Sequence, residues 1–194
     1  MKSMGVLLAD ALKIPRGFFY SRNHTWTHLE RSGNARVGLD DLLLHITGPV
    51  GINILRNPGE WIKKGEILAE ISRDGKKLQI ASPLSGEIQG VNPGPDNRHA
   101  IQDDPYGAGW ICTVRPSRWH EETASFYLAD EAVEWIRREL AKLRDFVVTA
   151  SRSYSAEPGM VVLQEGGELP DHPLAEMPGE VWQDFQKAFL DRMD

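Results

Sequence analysis

Ile67-Leu-Ala-Glu-Ile-Ser-Arg73-Asp74-Gly75-Lys76-Lys77-Leu-Gln-Ile-Ala81 is the stretch whose reading decides the fold. Two short runs with apolar residues in alternation flank an Asp-Gly pair. A two-residue hairpin loop needs φ > 0 at both central positions, and Asp-Gly is among the sequences that tolerate this. The pattern therefore predicts a strand over 66–72, a tight tip at 74–75 and a returning strand over 76–81. Outward from the hairpin, Lys64-Gly65, Asn57-Pro58-Gly59, Ser82-Pro83 and Asn92-Pro93-Gly94 are breaks. They bound further strands at 51–56, 87–91 and 110–114. Nearer the start, His24–Leu29 and Ala35–Leu39 form a second hairpin around Ser32-Gly33-Asn34. Asp40 is a good N-cap for a short helix over Leu42–Ile46, ended by Gly48 and Pro49. Short strands punctuated at this spacing point to an all-β barrel or sandwich.

Both ends of the chain read differently. Residues 5–13 carry a short helical pattern stopped by Pro15 and Gly17. After Leu128, the residues Ala129, Val133, Ile136, Leu140, Leu143 and Val147 recur in steps of four and three, one apolar stripe on a helix. Asp130 and Glu131 stand near its positive end. This helix packs on the β domain or offers a surface to a partner. Ser151–Pro158 is a polar linker, Val161-Val162-Leu163 a candidate strand, and Glu165–Met177 loop-like. Pro178 suits the first turn of a last helix bearing Val181, Trp182, Phe185 and Phe189, which must bury against this chain or another. The expected division is an arm at 1–18, a β domain at 19–128, a helix at 129–150 and an α/β extension at 151–194.

Composition narrows the function. A formal net charge of −6 opposes non-specific binding to nucleic acid or to anionic membranes. Val6-Leu7-Leu8, followed closely by Asp10 and Lys13, is too short for a signal segment or a membrane span, so a cytoplasmic protein is expected. Cys112, the single cysteine, lies in the apolar run Trp110–Val114 and is expected as a small buried hydrophobe. No P-loop, dinucleotide-binding glycine turn, Cys-x-x-Cys or His-Glu-x-x-His pattern occurs, nor any arrangement that supports a Ser/His/Asp nucleophile. His24 and His28 would share a strand face, which suggests a metal pair, but without a third ligand a sheet-face role is the better reading. Asp103-Asp104 near His99 is better explained by loop structure than by acid–base work. No catalytic residue and no metal site are expected.

Several separate motifs resemble the glycine cleavage system H protein family. Tyr20-Ser-Arg-Asn-His24-Thr-Trp26 is similar to its opening block, and Ala35-Arg-Val-Gly38-Leu-Asp40 to its second strand running into a short helix. Gly48–Ile54 is similar to the strand after that helix, and Gly59–Gly65, with Lys63 and Lys64, to the segment before the carrier hairpin. Ser82-Pro83-Leu-Ser-Gly-Glu87 resembles the turn after it, and Val91-Asn92 follows at the family's spacing. Asp104-Pro105-Tyr106-Gly107-Ala-Gly109-Trp110 is similar to the family's most recognisable loop. The likeness covers about residues 19–128. It implies a mainly β, lipoyl/biotinyl-type barrel-sandwich hybrid of hammerhead form, with short helices. It also implies a non-enzymatic carrier whose hairpin-tip lysine bears lipoate and shuttles an aminomethyl group. The glycine decarboxylase, the aminomethyltransferase and the dihydrolipoyl dehydrogenase are the partners it implies.

At the tip the resemblance breaks. The family lysine lies eight residues before the proline of the following turn, and that position here is Gly75; the family glutamate falls on Ser72. Three readings follow. The tip is shifted and Lys76, or less readily Lys77, carries lipoate. Alternatively the arm is lost and the domain is a binding or regulatory module without a cofactor, which is the leading expectation. A third is participation in glycine cleavage or a related pathway by another route. A lysine at the second turn position would have to hold φ > 0, a strain that Asp-Gly relieves, so the hairpin reads as kept for its shape.

Overall fold

A computed structural model describes residues 7, 9–93, 98–154 and 169–192. Among the described residues, nine strands form two antiparallel sheets. The larger contains β1 (Phe19–Tyr20), β2 (Thr25–Leu29), β3 (Ala35–Leu39), β5 (Trp61–Ile62), β8 (Gly86–Val91) and β9 (Trp110–Pro116), in the order β1-β2-β3-β9-β8-β5. The smaller contains β4 (Gly51–Ile54), β6 (Ile67–Arg73) and β7 (Lys76–Ala81), in the order β4-β6-β7. Inward side chains such as Val37, Leu39, Ile62, Leu68, Ile71, Ile88 and Val114 join one buried core. The architecture is the mainly β lipoyl-type fold that the motifs imply.

Asp40 caps α1 (Asp41–Thr47), its side chain accepting from the Leu43 amide at 2.8 Å, and Gly48 ends the helix. The remaining helices are α2 (Arg98–Asp103), α3 (Trp119–Thr123), α4 (Ala129–Tyr154) and α5 (Gly179–Phe185), the last continued by a π-helical turn, Gln186–Leu190. None of the described helices is long and apolar enough to cross a membrane.

The predicted elements differ from the observed ones mostly where they are short. β1 and β5 have two residues each, too few to set up a period, and α2 and α3 have six and five. The strand expected over 51–56 ends at Ile54. Helix α4 runs on to Tyr154, so Ser151–Tyr154 are helical and not linker. Its buried face also turns slightly from the predicted stripe: Ala132, Trp135, Glu139 and Ala150 are buried, while Val133 is half-buried. Of the N-terminal helical pattern, the described part is a single 3-10 turn, Ala9–Ala11. The candidate strand Val161–Leu163 lies outside the described residues.

One glycine is demanded by a close approach. Gly38 pairs with Trp26 across β2 and β3, and a Cβ built on Gly38 would clash with the Trp26 ring. That ring is wholly buried, its Nε1 donating to the Pro105 carbonyl at 3.1 Å. Gly38→Ala should therefore destabilise the protein by about 1–3 kcal/mol, the usual cost of overpacking. Urea unfolding would measure this as a lower midpoint with an unchanged slope.

Candidate functional site: the β6–β7 hairpin tip

The hairpin closes as its sequence dictates. Arg73 and Lys76 pair across the turn, with Asp74 at φ 50° and Gly75 at φ 79°. Both central residues are left-handed, which a primed turn needs to match the twist of its strands. A Cβ built on Gly75 meets nothing within 4 Å, so the glycine answers to backbone conformation and not to crowding.

Lysines follow on alternating faces. Lys77 pairs with Ser72, points to solvent with 60% of its side chain exposed, and forms an ion pair with Glu70 at 2.9 Å. Lys76 is half-buried. Its Nζ donates to the Ala175 carbonyl and, at 3.1 Å, to the Met177 carbonyl, and it sits 5.3 Å from the centre of the Trp182 ring. A cation desolvated against an aromatic face and holding two carbonyls is firmly positioned.

What holds Lys76 is the C-terminal extension, and the backbone hydrogen bonds explain how that extension is fixed. The last turn of a helix leaves carbonyls without partners inside the helix. In α1 the Leu44 carbonyl accepts from the Gly48 amide at 2.9 Å. The His45 carbonyl accepts from the His172 amide at 3.0 Å and the Ile46 carbonyl from the Leu174 amide at 3.1 Å. Arg73, beside the tip, supplies the partner of the Thr47 carbonyl at 3.0 Å. The extension and the hairpin thus share one helix end. Further along, the Gln186 side chain accepts from the Gln79 amide at 2.8 Å and donates to the Gln79 carbonyl at 3.1 Å. It covers part of the outer edge of β7, the edge strand of its sheet. Trp182, Phe185 and Phe189 are buried, and the two phenylalanines pack edge-on against Phe146 of α4.

A second cluster lies where the opening motif meets α4. His24 is fully buried and left-handed, with φ 62°, and stacks on Trp135 at 5.1 Å between ring centres. Its Nδ1 is 2.7 Å from Asp40 Oδ2, and its Nε2 is 3.6 Å from Glu139 Oε2. Burial alone would push the imidazole pKa down, but the charge and hydrogen bond of Asp40, reinforced by Glu139, raise it to about 9. Glu139, 1% exposed, would likewise be pushed up by burial, but His24 and Lys142 hold it down to about 2. Lys142 Nζ lies 2.6 Å from Glu139 Oε1.

The other polar residues singled out in the sequence do not converge. His24 precedes β2, so it shares no strand face with His28, whose Nδ1 instead meets the Gly17 carbonyl at 3.1 Å. Among the described residues, no group of three His, Cys, Asp or Glu is placed to hold a metal ion. Asp104 ties its own loop, accepting from the amides of Gly107 and Ala108 at 3.0 and 2.8 Å. Cys112 is buried, which raises its thiol pKa to about 12. Sequence reasoning missed Glu139 and Trp135, and it missed what Lys76 touches. The spacing from Glu139 to Lys142 was the available clue to the first of these.

With this geometry in view, comparison with known proteins is informative. The family model described as glycine cleavage H-protein matches residues 18–139. The probable glycine cleavage system H protein of Pyrococcus abyssi is 30% identical over 126 residues, covering 64% of this chain and 93% of that relative. The glycine cleavage system H protein of Coprothermobacter proteolyticus is 33% identical over 107 residues, covering 55% of this chain and 84% of that relative. Among solved structures, the glycine cleavage system H protein from Mycobacterium marinum superposes with a TM-score of 0.53 at 28% identity, covering 61% of this chain and 94% of that one. The matched family segment ends at Glu139 and so leaves out the extension that holds Lys76. H proteins are non-catalytic, in keeping with a chain from which no bond chemistry was expected. The family segment spans more than half of the residues, and the chain belongs to the glycine cleavage H-protein family.

Proposed function

We propose that this chain is an H-protein-derived binding or regulatory module of the cytoplasm that carries no lipoate. The observation behind this reading is the fate of the tip lysine. H proteins normally carry lipoate on a lysine that must swing free, and the tip here does not fit that group. Gly75 offers no amine, and the Lys76 amine is taken up by two carbonyls and the Trp182 ring. Lys77 leaves from the strand, on the opposite face to Lys76, and is paired with Glu70. A swinging arm works by raising the effective concentration of its cargo at each partner, which an amine clamped to its own chain cannot do. The family's fold is retained, so the partners proposed are proteins, in the first instance the enzymes of glycine cleavage. Family membership favours the second reading, a carrier modified on Lys76 after the extension lets go.

Intact mass after co-expression with a lipoyl ligase and lipoate separates the two. Unmodified protein is expected, whereas an added lipoyl group on Lys76 or Lys77 would sink the proposal. Gly75→Lys should gain the modification under the same conditions, because the new side chain enters open space. It should also lower stability by about 1–2 kcal/mol for a non-glycine residue at positive φ, measured by thermal unfolding.

A further inference from the structure

The edge of a sheet offers unpaired amides and carbonyls to any strand that comes alongside. β7 is such an edge: β6 pairs with it on one side, and among the described residues no strand pairs on the other. The alternation of an antiparallel ladder decides which groups point outward. The amides and carbonyls of Leu78 and Ile80 turn towards β6, and those of Lys77, Gln79 and Ala81 turn away. Two side-chain carboxamides cover this outward row. Gln186 accepts from the Gln79 amide and donates to its carbonyl, and Asn23 donates to the Ala81 carbonyl at 3.0 Å. A carboxamide is a peptide group at the end of a side chain, so Gln186 stands in for one residue of an added strand. The edge belongs to the family segment, residues 18–139, whereas Gln186 belongs to the extension beyond it.

We propose that the extension is a guard over this edge, and that when it opens a second copy of this chain adds its own β7, antiparallel, about a two-fold axis at Leu78. In that register Lys77 of one copy stands opposite Gln79 of the other, and Leu78 opposite Leu78. The Asn23–Ala81 bond lies outside the paired segment. An axis at Lys77 would set two ammonium groups face to face, which is destabilising. An axis at Gln79 would bring Lys77 of the second copy against the Ala81 carbonyl that Asn23 holds. Each copy supplies a strand that is already extended, so pairing avoids the ordering cost of a flexible segment. In the parent chain the guard wins. A tethered segment acts on its own site at an effective concentration in the millimolar range, and this one also buries Trp182, Phe185 and Phe189. None of this depends on whether lipoate is carried.

Sedimentation equilibrium of the full chain, of Trp182→Ala and of Trp182→Ala combined with Gln79→Pro tests this, with acetylation of Lys76 reporting whether the extension is open. The parent should be monomeric, and Trp182→Ala dimeric at the same concentration. Proline at position 79 removes an outward amide and no bond to β6, so the hairpin stays paired. The dimer then loses one bond from each pair that flanks the axis, and its dissociation constant should rise about tenfold. If Trp182→Ala does not fold, Phe189→Ala takes its place, since it loosens the extension from Phe146. The proposal is overturned by an opened variant that stays monomeric, by a dimer that Gln79→Pro leaves equally tight, or by an extension that neither variant opens. A parent chain that is already dimeric would overturn it too.

Discussion

Trp182→Ala should be among the most damaging single changes outside the β domain, costing about 3–5 kcal/mol, as large-to-small replacement of a buried tryptophan usually does. Trp182 is 1% exposed, and its Nε1 donates to the Leu174 carbonyl at 2.8 Å. Truncation removes that hydrogen bond, opens a cavity beside Val181 and Phe185, and withdraws the ring over which the Lys76 ammonium sits. The extension is held to α1 and to the β7 edge by backbone and amide bonds and to α4 by the packing of Phe185 and Phe189 on Phe146, and loss of the Trp182 ring lets its local opening compete with global unfolding. If the extension opens as a unit, the loss in global stability will be smaller than the full cost, and amide exchange at His172 and Leu174 will rise sharply. Either route releases the Lys76 amine. Mild acetylation read by mass spectrometry should show Lys76 protected relative to Lys77 in the parent chain and equally labelled in the variant. Equal labelling of the two lysines in the parent chain would mean that the clamp is not maintained in solution, and the case against a carrier would fall with it.

How far the sequence could be read follows from the range of the interactions involved. The Asp74-Gly75 turn, the Asp40 cap and the Gly48 stop are local, each set by residues within one turn of the chain, and each is where the pattern put it. The strands long enough to show alternation were legible for the same reason. Lys76 was not legible in its role, because its partners are 99 and 101 residues away and are backbone carbonyls, which leave no mark in side-chain identity. Glu139 escaped because a carboxylate on an apolar helical stripe reads as an interruption until its partner is known. That partner, His24, lies in a turn whose left-handed conformation no periodicity reveals. Both omissions concern contacts between the family segment and what lies at or beyond its end.

The second large effect is a dependence of stability on pH that originates at His24. Its pKa is raised in the folded protein to about 9, against an ordinary value of 6.5. A group of this kind contributes fully below its unfolded pKa, and the contribution is lost as pH climbs through the folded one. Between pH 6.5 and 9 the chain should therefore lose on the order of 3 kcal/mol of unfolding free energy. Glu139 works in the opposite direction. Its pKa is held down to about 2 from 4.5, so its contribution is present above pH 4.5 and fades as pH falls towards 2. The two limbs leave a plateau of greatest stability between about pH 4.5 and 6.5. His24→Gln should remove most of the alkaline limb, leaving the part due to His45, whose pKa its hydrogen bond to Asp41 also raises, and cost about 3–5 kcal/mol on the plateau, because it strands Asp40 and Glu139 as buried carboxylates without their shared cation. Glu139→Gln should remove the acid limb and shorten the alkaline one, since Asp40 alone then supports the imidazolium. Urea unfolding of the three proteins across pH 3 to 10 reads all of this directly. A parent chain whose stability is flat from pH 6.5 to 9 would show that His24 is neutral when buried. In that case the barrel and α4 would be joined at this point by packing on Trp135, not by charge.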